Sequence, residues 1–251
     1  MQTPRRAQRT AIQFVDLLRI ELTNWRWTWR PMIVLGTVAP FGAILAMRFA
    51  LRQEGPAVLE YVFAGNLALS LIFDNQMRVG THFQFMRFHG TFDYFAALPV
   101  SKSALVLAVA SAFFILSLPS LLVLTVVGPP VLGLSLHPTV GLLPIIPLCA
   151  ISLSGIGALV GLLARTPAEA TSITMLVTLL LAGGALVPPS FLPAWAALVA
   201  PLSPSTHAAS ALRQTLFGPV TNAIWLNVTV LSAVAGGTFW AVARKLDWRD
   251  E

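Results

Sequence analysis

The sequence predicts an all-α, polytopic membrane protein with six transmembrane helices, carried on a single transmembrane domain over 1–251. Three observations lead there. Hydrophobic residues make up 56% of the 251 residues, charged residues only 10%, and mean hydropathy is +0.77, which is the composition of a chain solvated largely by lipid. Six stretches approach or exceed the ~20 apolar residues that a spanning helix needs. Lys and Arg fall mostly on one side of the spans those stretches define.

The spans are expected at 32–51, 57–77, 104–127, 140–163, 170–188 and 221–243. Pro40, Pro119, Pro144 and Pro147 lie inside them, which membrane helices tolerate when neighbours satisfy the freed carbonyls. With the N-terminus in the cytoplasm, that side receives Arg5, Arg6, Arg9, Arg19, Arg26 and Arg30 before the first span. It also receives Arg78, Arg87 and Lys102 after the second, Arg165 after the fourth, and Arg244, Lys245 and Arg249 at the end. Only Arg48, Arg52 and Arg213 remain outside, so both termini are expected in the cytoplasm. Trp195 and Trp225 near one face, and Trp240 and Trp248 near the other, fit interfacial belts. The first apolar run starts near Met32, late for a signal peptide, and no small-residue cleavage site follows, so the N-terminus is expected to be uncleaved. The net charge of +6 therefore reads as topology rather than nucleic-acid affinity. Cys149, alone and inside an apolar run, makes no intrachain disulfide.

Three segments outside the spans carry information. In FVDLLRIELTNWRWTWR (14–30), Phe14, Leu18, Leu22, Trp25 and Trp29 form one helical stripe. Asp16, Arg19, Thr23, Arg26 and Arg30 form another, roughly 120° away at the 3.6-residue period. That pattern predicts an amphipathic interfacial helix, with Ile20 and Glu21 breaking it enough to imply packing on protein. The loop after span two, GTHFQFMRFHGTFDYFAALPVSKSA, is about 25 residues long and carries Phe83, Phe85, Phe88, Phe92 and Phe95. It predicts a short surface helix over 81–96, with Pro99 and Ser101 marking a break and a new helix start. The segment LVPPSFLPAWAALVAPLSPSTHAASALRQTLFGP (186–219) is too apolar for an exposed loop, and its prolines break it too often for a span. Short helices that enter the membrane and return satisfy both constraints.

Catalytic chemistry is hard to assemble. His82, His89, His137 and His207 fall on both sides of the membrane, and with one cysteine no zinc spacing exists. Ser154 has no histidine in any span to activate it. Neither Lys102 nor Lys245 follows a glycine, so the chain has no phosphate-binding loop of the usual kind. Glu60, Asp74 and Glu169 lie near span ends, where hydration or a neighbouring arginine would satisfy them, although intramembrane carboxylates are functional candidates by default. Asn66 is expected to hydrogen-bond between helices, and Gly157 with Gly161 to let two helices approach.

The assembled pattern resembles the ABC type-2 permeases, the membrane subunits of ATP-binding-cassette exporters. The resemblance rests on RFHGTFDYFAALPVSKSAL (87–105), on PPSFLPAWAALVAPLSPSTHAASALRQTLFG (188–218), and on the N-terminal helix ending at Pro31. It implies a cytoplasmic elbow helix within 1–31 (Phe14, Leu18, Leu22, Trp25, Trp29), a six-span bundle over 32–243 and a cytoplasmic tail over 244–251. It further implies a coupling helix drawing on His82, Phe85, Arg87, Phe88, His89, Phe92, Asp93 and Phe95. An external re-entrant gate would draw on Pro189, Phe191, Leu192, Pro193, Trp195, Pro204 and Arg213. The implied assembly is two permeases, a homodimer, with two separate ATPase subunits that hold the ATP and Mg²⁺; this chain binds no cofactor. Its place would be a bacterial-type cytoplasmic membrane. The implied cargo is an amphiphilic drug or antibiotic-like compound, the alternative a lipid-linked polysaccharide or other lipid. A non-transporting scaffold and an intramembrane enzyme are the readings from other classes.

Overall fold

Apolar runs of this length have one way to satisfy their backbone in lipid, which is to close every hydrogen bond inside a helix. The computed structural model describes residues 4–26, 29–50, 55–98, 100–186, 193, 198 and 200–246. Among them it contains helices and no strand. Helix α1 is Pro4–Asn24, α2 Trp29–Ala50, α3 Pro56–Leu71, α4 Arg78–Phe88, α5 Thr91–Ala96 and α6 Lys102–Leu132. Helix α7 is Leu142–Leu163, α8 Pro167–Leu186, α9 Pro204–Leu216 and α10 Ala223–Lys245. Among the described residues, six continuous helices are long and apolar enough to cross a membrane: α2, α6, α7, α8, α10 and the unit Pro56–Phe88.

That unit corrects the expected second span. A π-helical segment, Ile72–Met77, joins α3 to α4 without a break, giving one helix of 33 residues. The expected surface helix over 81–96 therefore does not form as one piece. Its first half is the end of span two, and Gly90, at φ +68°, turns the chain into the separate short helix α5. A side chain would be strained at that φ. Ser101 does start α6, its Oγ accepting the Ala104 N–H at 3.3 Å; Pro99 lies outside the described residues.

The elbow also ends earlier than expected. Helix α1 stops at Asn24, and Trp29 opens α2 instead of extending the stripe. Leu17 and Glu21 are the buried centre of α1, with Phe14, Leu18 and Trp25 partly covered beside them, and the helix lies on α6. Glu21 thus belongs to the packed face it was expected to interrupt.

Two apolar cores hold the bundle. One gathers Phe63, Leu67, Leu153, Leu212 and Leu231 from α3, α7, α9 and α10. The other gathers Val79, Phe83, Phe92, Leu105 and Phe113 from α4, α5 and α6. Helix α9 fits among α3, α7, α8 and α10, with Ala208, Ala211 and Leu212 buried. His207 ties it down: its Nε2 lies 2.8 Å from the Pro201 carbonyl and its Nδ1 2.8 Å from Asn227 Oδ1 of α10. The expected glycine pair works as a contact. Side chains at Gly157 and Gly161 would clash with the carbonyl oxygens of Gln76 and Gly80, so α7 meets the π segment and α4 backbone to backbone.

Candidate functional site

The end of α4 is fastened by its polar side chains. Arg87 Nη1 donates to the Ala164 carbonyl at 2.8 Å and also to the Leu162 carbonyl. Both carbonyls belong to the C-terminal end of α7, where a cation is favourable and the last carbonyls lack helical partners. Gln84 Nε2 donates to the Pro167 carbonyl at 2.8 Å, reaching the first residue of α8. Helix α8 then starts on the cap residue Thr166. The Glu169 N–H donates to Thr166 Oγ1 at 3.1 Å, and its carboxylate accepts the Arg165 N–H at 2.9 Å. The α4 end and the α7–α8 connection are thereby one mechanical piece. Helix α5 joins it by burying Phe92 and Phe95, with the Phe92 ring 6.2 Å from that of Phe83. Phe88, His89, Asp93, Tyr94 and Leu98 stay on the outside. At the same end, Lys245 and Leu246 close a small cleft with Arg87, Phe92 and Asp93.

Between the two cores runs a polar layer. Asp74, Asn75 and Gln76 follow one another in the π segment and all three are buried. Consecutive α-helical residues spread over about 200° of the helix surface, so such burial needs protein on several sides at once. Here α2, α6 and α8 receive them. Asn75 Nδ2 donates to Ser117 Oγ of α6 at 3.4 Å. Thr178 Oγ1 of α8 lies 2.7 Å from Gln76 Oε1 and also 2.7 Å from the Thr174 carbonyl, with a single proton to give. Arg78 Nη2 lies 3.0 Å from Asp74 Oδ1 and donates to the Met32 carbonyl of α2 at 3.2 Å. Ser152, Ser154 and Thr174 are buried as well, with hydroxyls that make no hydrogen bond among the described residues. Unfulfilled polar groups in a buried layer are costly, and π segments are frequent at functional positions. In a double-mutant cycle, Gln76→Leu and Thr178→Val are expected to couple by about 0.6 kcal/mol, read from unfolding in detergent; additive effects would show that the bond contributes nothing.

The family model of the ABC-2 type transporter matches residues 13–217. The chain belongs to this family. It is the transmembrane permease component of an ABC transporter and a multi-pass membrane protein. No curated protein matches it.

The permease's expected coupling residues separate into three groups once the fold is known. Phe88, His89 and Asp93 are exposed, and Phe85 is exposed one turn earlier with the His89 ring stacked on it at 3.8 Å. Phe92 and Phe95 are buried, and their rings fill the core beneath α5. His82 and Arg87 both point into the protein. His82 Nε2 lies 3.2 Å from Glu21 Oε2, with the Trp25 and Phe113 rings alongside. Tyr94, exposed beside Asp93, was missed; the surrounding phenylalanines drew the reading to themselves.

Of the expected external gate, Pro189, Phe191, Leu192 and Trp195 lie outside the described residues. Pro193 is exposed, Pro204 starts α9, and Arg213 in the last turn of α9 stands 5.7 Å from the Tyr61 ring centroid. Asn66 does reach another helix, its Nδ2 lying 3.5 Å from Met47 Sδ of α2. The polar layer was missed except for Asp74. Its signal was present as three successive polar residues, Asp-Asn-Gln, at the end of an apolar run.

Proposed function

We propose that this permease pairs with a second copy and with two ATPase subunits to export an amphiphilic, drug-like compound. The ATPase docks on the exposed faces of α5 and the α4 end, at Phe88, His89, Asp93 and Tyr94, and supplies the ATP and Mg²⁺ chemistry. Both termini then lie in the cytoplasm, in a cytoplasmic membrane of bacterial type. One observation carries the reading: the outward aromatic surface of α5 is fixed, through Phe92, Arg87 and Gln84, to the ends of three spanning helices. A push on a surface so mounted moves α4, α7 and α8 together, as a rigid-body transition requires. The π segment and its polar layer sit further along the same helix and provide a place for that motion to be absorbed.

The segment around Pro189, Phe191, Leu192, Pro193, Trp195, Pro204 and Arg213 serves as the outer gate. Lipid-linked polysaccharide or other lipid is the second reading, favoured by the rings of Trp25, Phe73, Phe85 and Phe113 around one cavity, which suit sugar stacking as well as drugs. ATP hydrolysis by the reconstituted permease–ATPase complex, measured across a panel of amphiphilic drugs and lipid-linked sugars, tests both. Stimulation by drugs alone is expected. Stimulation by lipid-linked sugars alone would transfer the assignment to the second reading, and failure of any ATPase to co-purify would favour a scaffold.

A further inference from the structure

A cavity of about 780 Å³ opens between the end of α1, α2, the π segment with α4, and α6. That volume suits a drug-sized molecule. Its walls are apolar and aromatic: Trp25 from the elbow, Met32 and Pro40 from α2, Phe73 and Phe85 from span two, and Phe113 from α6. Among the described residues one acidic group, Asp74, stands in this lining, with Arg78 and His82 beside it. Asp74 is only 2% exposed, and among the described residues neither of its carboxylate oxygens receives a hydrogen bond. Arg78 Nη2 lies 3.0 Å from Oδ1 while it donates to the Met32 carbonyl at 3.2 Å, so the pair offsets charge and leaves carboxylate lone pairs open to further donors. A second carboxylate, Glu21, lies behind the wall against His82.

We propose that this cavity binds a lipophilic amine, a monovalent organic cation whose ammonium sits on Asp74 and whose apolar body lies among the rings. An ammonium brings three N–H donors to carboxylate oxygens that the Arg78 pairing leaves without a hydrogen bond, and a buried acceptor left so is costly. Aromatic rings attract a cation, and Trp25, Phe73, Phe85 and Phe113 line the same cavity. A neutral ligand without donors leaves the carboxylate's lone pairs as they are, and an anion brings no donor to them. The proposal deepens the export reading and depends on it only for what happens to the compound after binding.

The test is a titration of the purified full-length chain in phosphatidylcholine nanodiscs, read by dansyl fluorescence. Three probes are compared: dansylcadaverine, its N-acetyl derivative, and the analogue in which a carboxylate replaces the amine. The amine is expected to bind tighter than either analogue by about tenfold or more. Asp74→Asn should remove about tenfold from amine affinity and leave the N-acetyl probe unchanged, whereas Asp74→Glu should keep the preference. Thr81→Trp, at an exposed position on the cavity rim, should weaken all three probes together and decides the location if Asp74→Asn does not fold. Equal affinity for the three probes in the natural protein would overturn the proposal, as would unchanged amine affinity in a folded Asp74→Asn. Loss of amine binding when phosphatidylethanolamine replaces phosphatidylcholine would overturn it in favour of a membrane lipid. These readouts need no ATPase, so they fail or succeed independently of ATP-driven export.

Discussion

Gly157→Leu is expected to cost this permease about 3 kcal/mol or more, enough to lose most of the monodisperse folded protein in detergent. Helix α7 touches the π segment and α4 through backbone at Gly157 and Gly161, where even one added carbon meets the Gln76 or Gly80 carbonyl. The neighbouring atoms are main chain, which cannot rotate away as a side-chain tip can. Relief requires moving α7 off span two, and that opens the contact on which Arg87 depends for the Leu162 and Ala164 carbonyls. Gly237→Leu is the control. It sits on α10, where a first side-chain carbon would meet nothing within 4 Å, and its effect should stay within about 0.5 kcal/mol. Thermal unfolding of both variants decides the point, and equal midpoints would refute the close packing at Gly157.

Phe92→Asp and Tyr94→Asp, two residues apart, are expected to fail in different ways. Phe92 is 7% exposed and packs on Phe83, so an aspartate there loses a buried ring and buries an unpaired charge. The ring alone is worth about 3–5 kcal/mol, and the charge adds to that. Helix α5 should detach, seen as proteolysis near Gly90 and a lower unfolding midpoint. Tyr94 is 65% exposed, so its replacement should leave the midpoint within about 0.5 kcal/mol. What Tyr94→Asp should lose is substrate-stimulated ATP hydrolysis in the complex, because a charge enters an aromatic docking face. Retained stimulation in Tyr94→Asp would move the docking surface elsewhere. An unchanged midpoint in Phe92→Asp would contradict the packing beneath α5.

The contrast between these two residues shows where sequence reading reached its limit. Phe83, Phe85, Phe88, Phe92 and Phe95 look alike in a row, and their density marked the segment as one that meets protein. Which rings meet this protein's own core, and which are left for another, depends on the turn at Gly90 and on where α6 passes. The elbow shows the same limit. Its stripe was legible from Phe14 to Trp25, but its end at Asn24 was not, and the burial of Glu21 depends on His82 sixty-one residues later in the chain.

The sequence by itself determined the six spans, the start of α6 at Ser101 and the glycine contact on α7, because each follows from local composition, period or residue size. It could not extend span two to Phe88. Arg78, His82, Gln84 and Arg87 lower the hydropathy there, and read alone they belong in water. The tertiary structure supplies what water would have. Arg78 finds the Met32 carbonyl, His82 finds Glu21, Gln84 finds the Pro167 carbonyl, and Arg87 finds the end of α7. These long polar side chains sit on a spanning helix because their partners arrive from elsewhere in the chain, and that arrival is a property of the packed bundle.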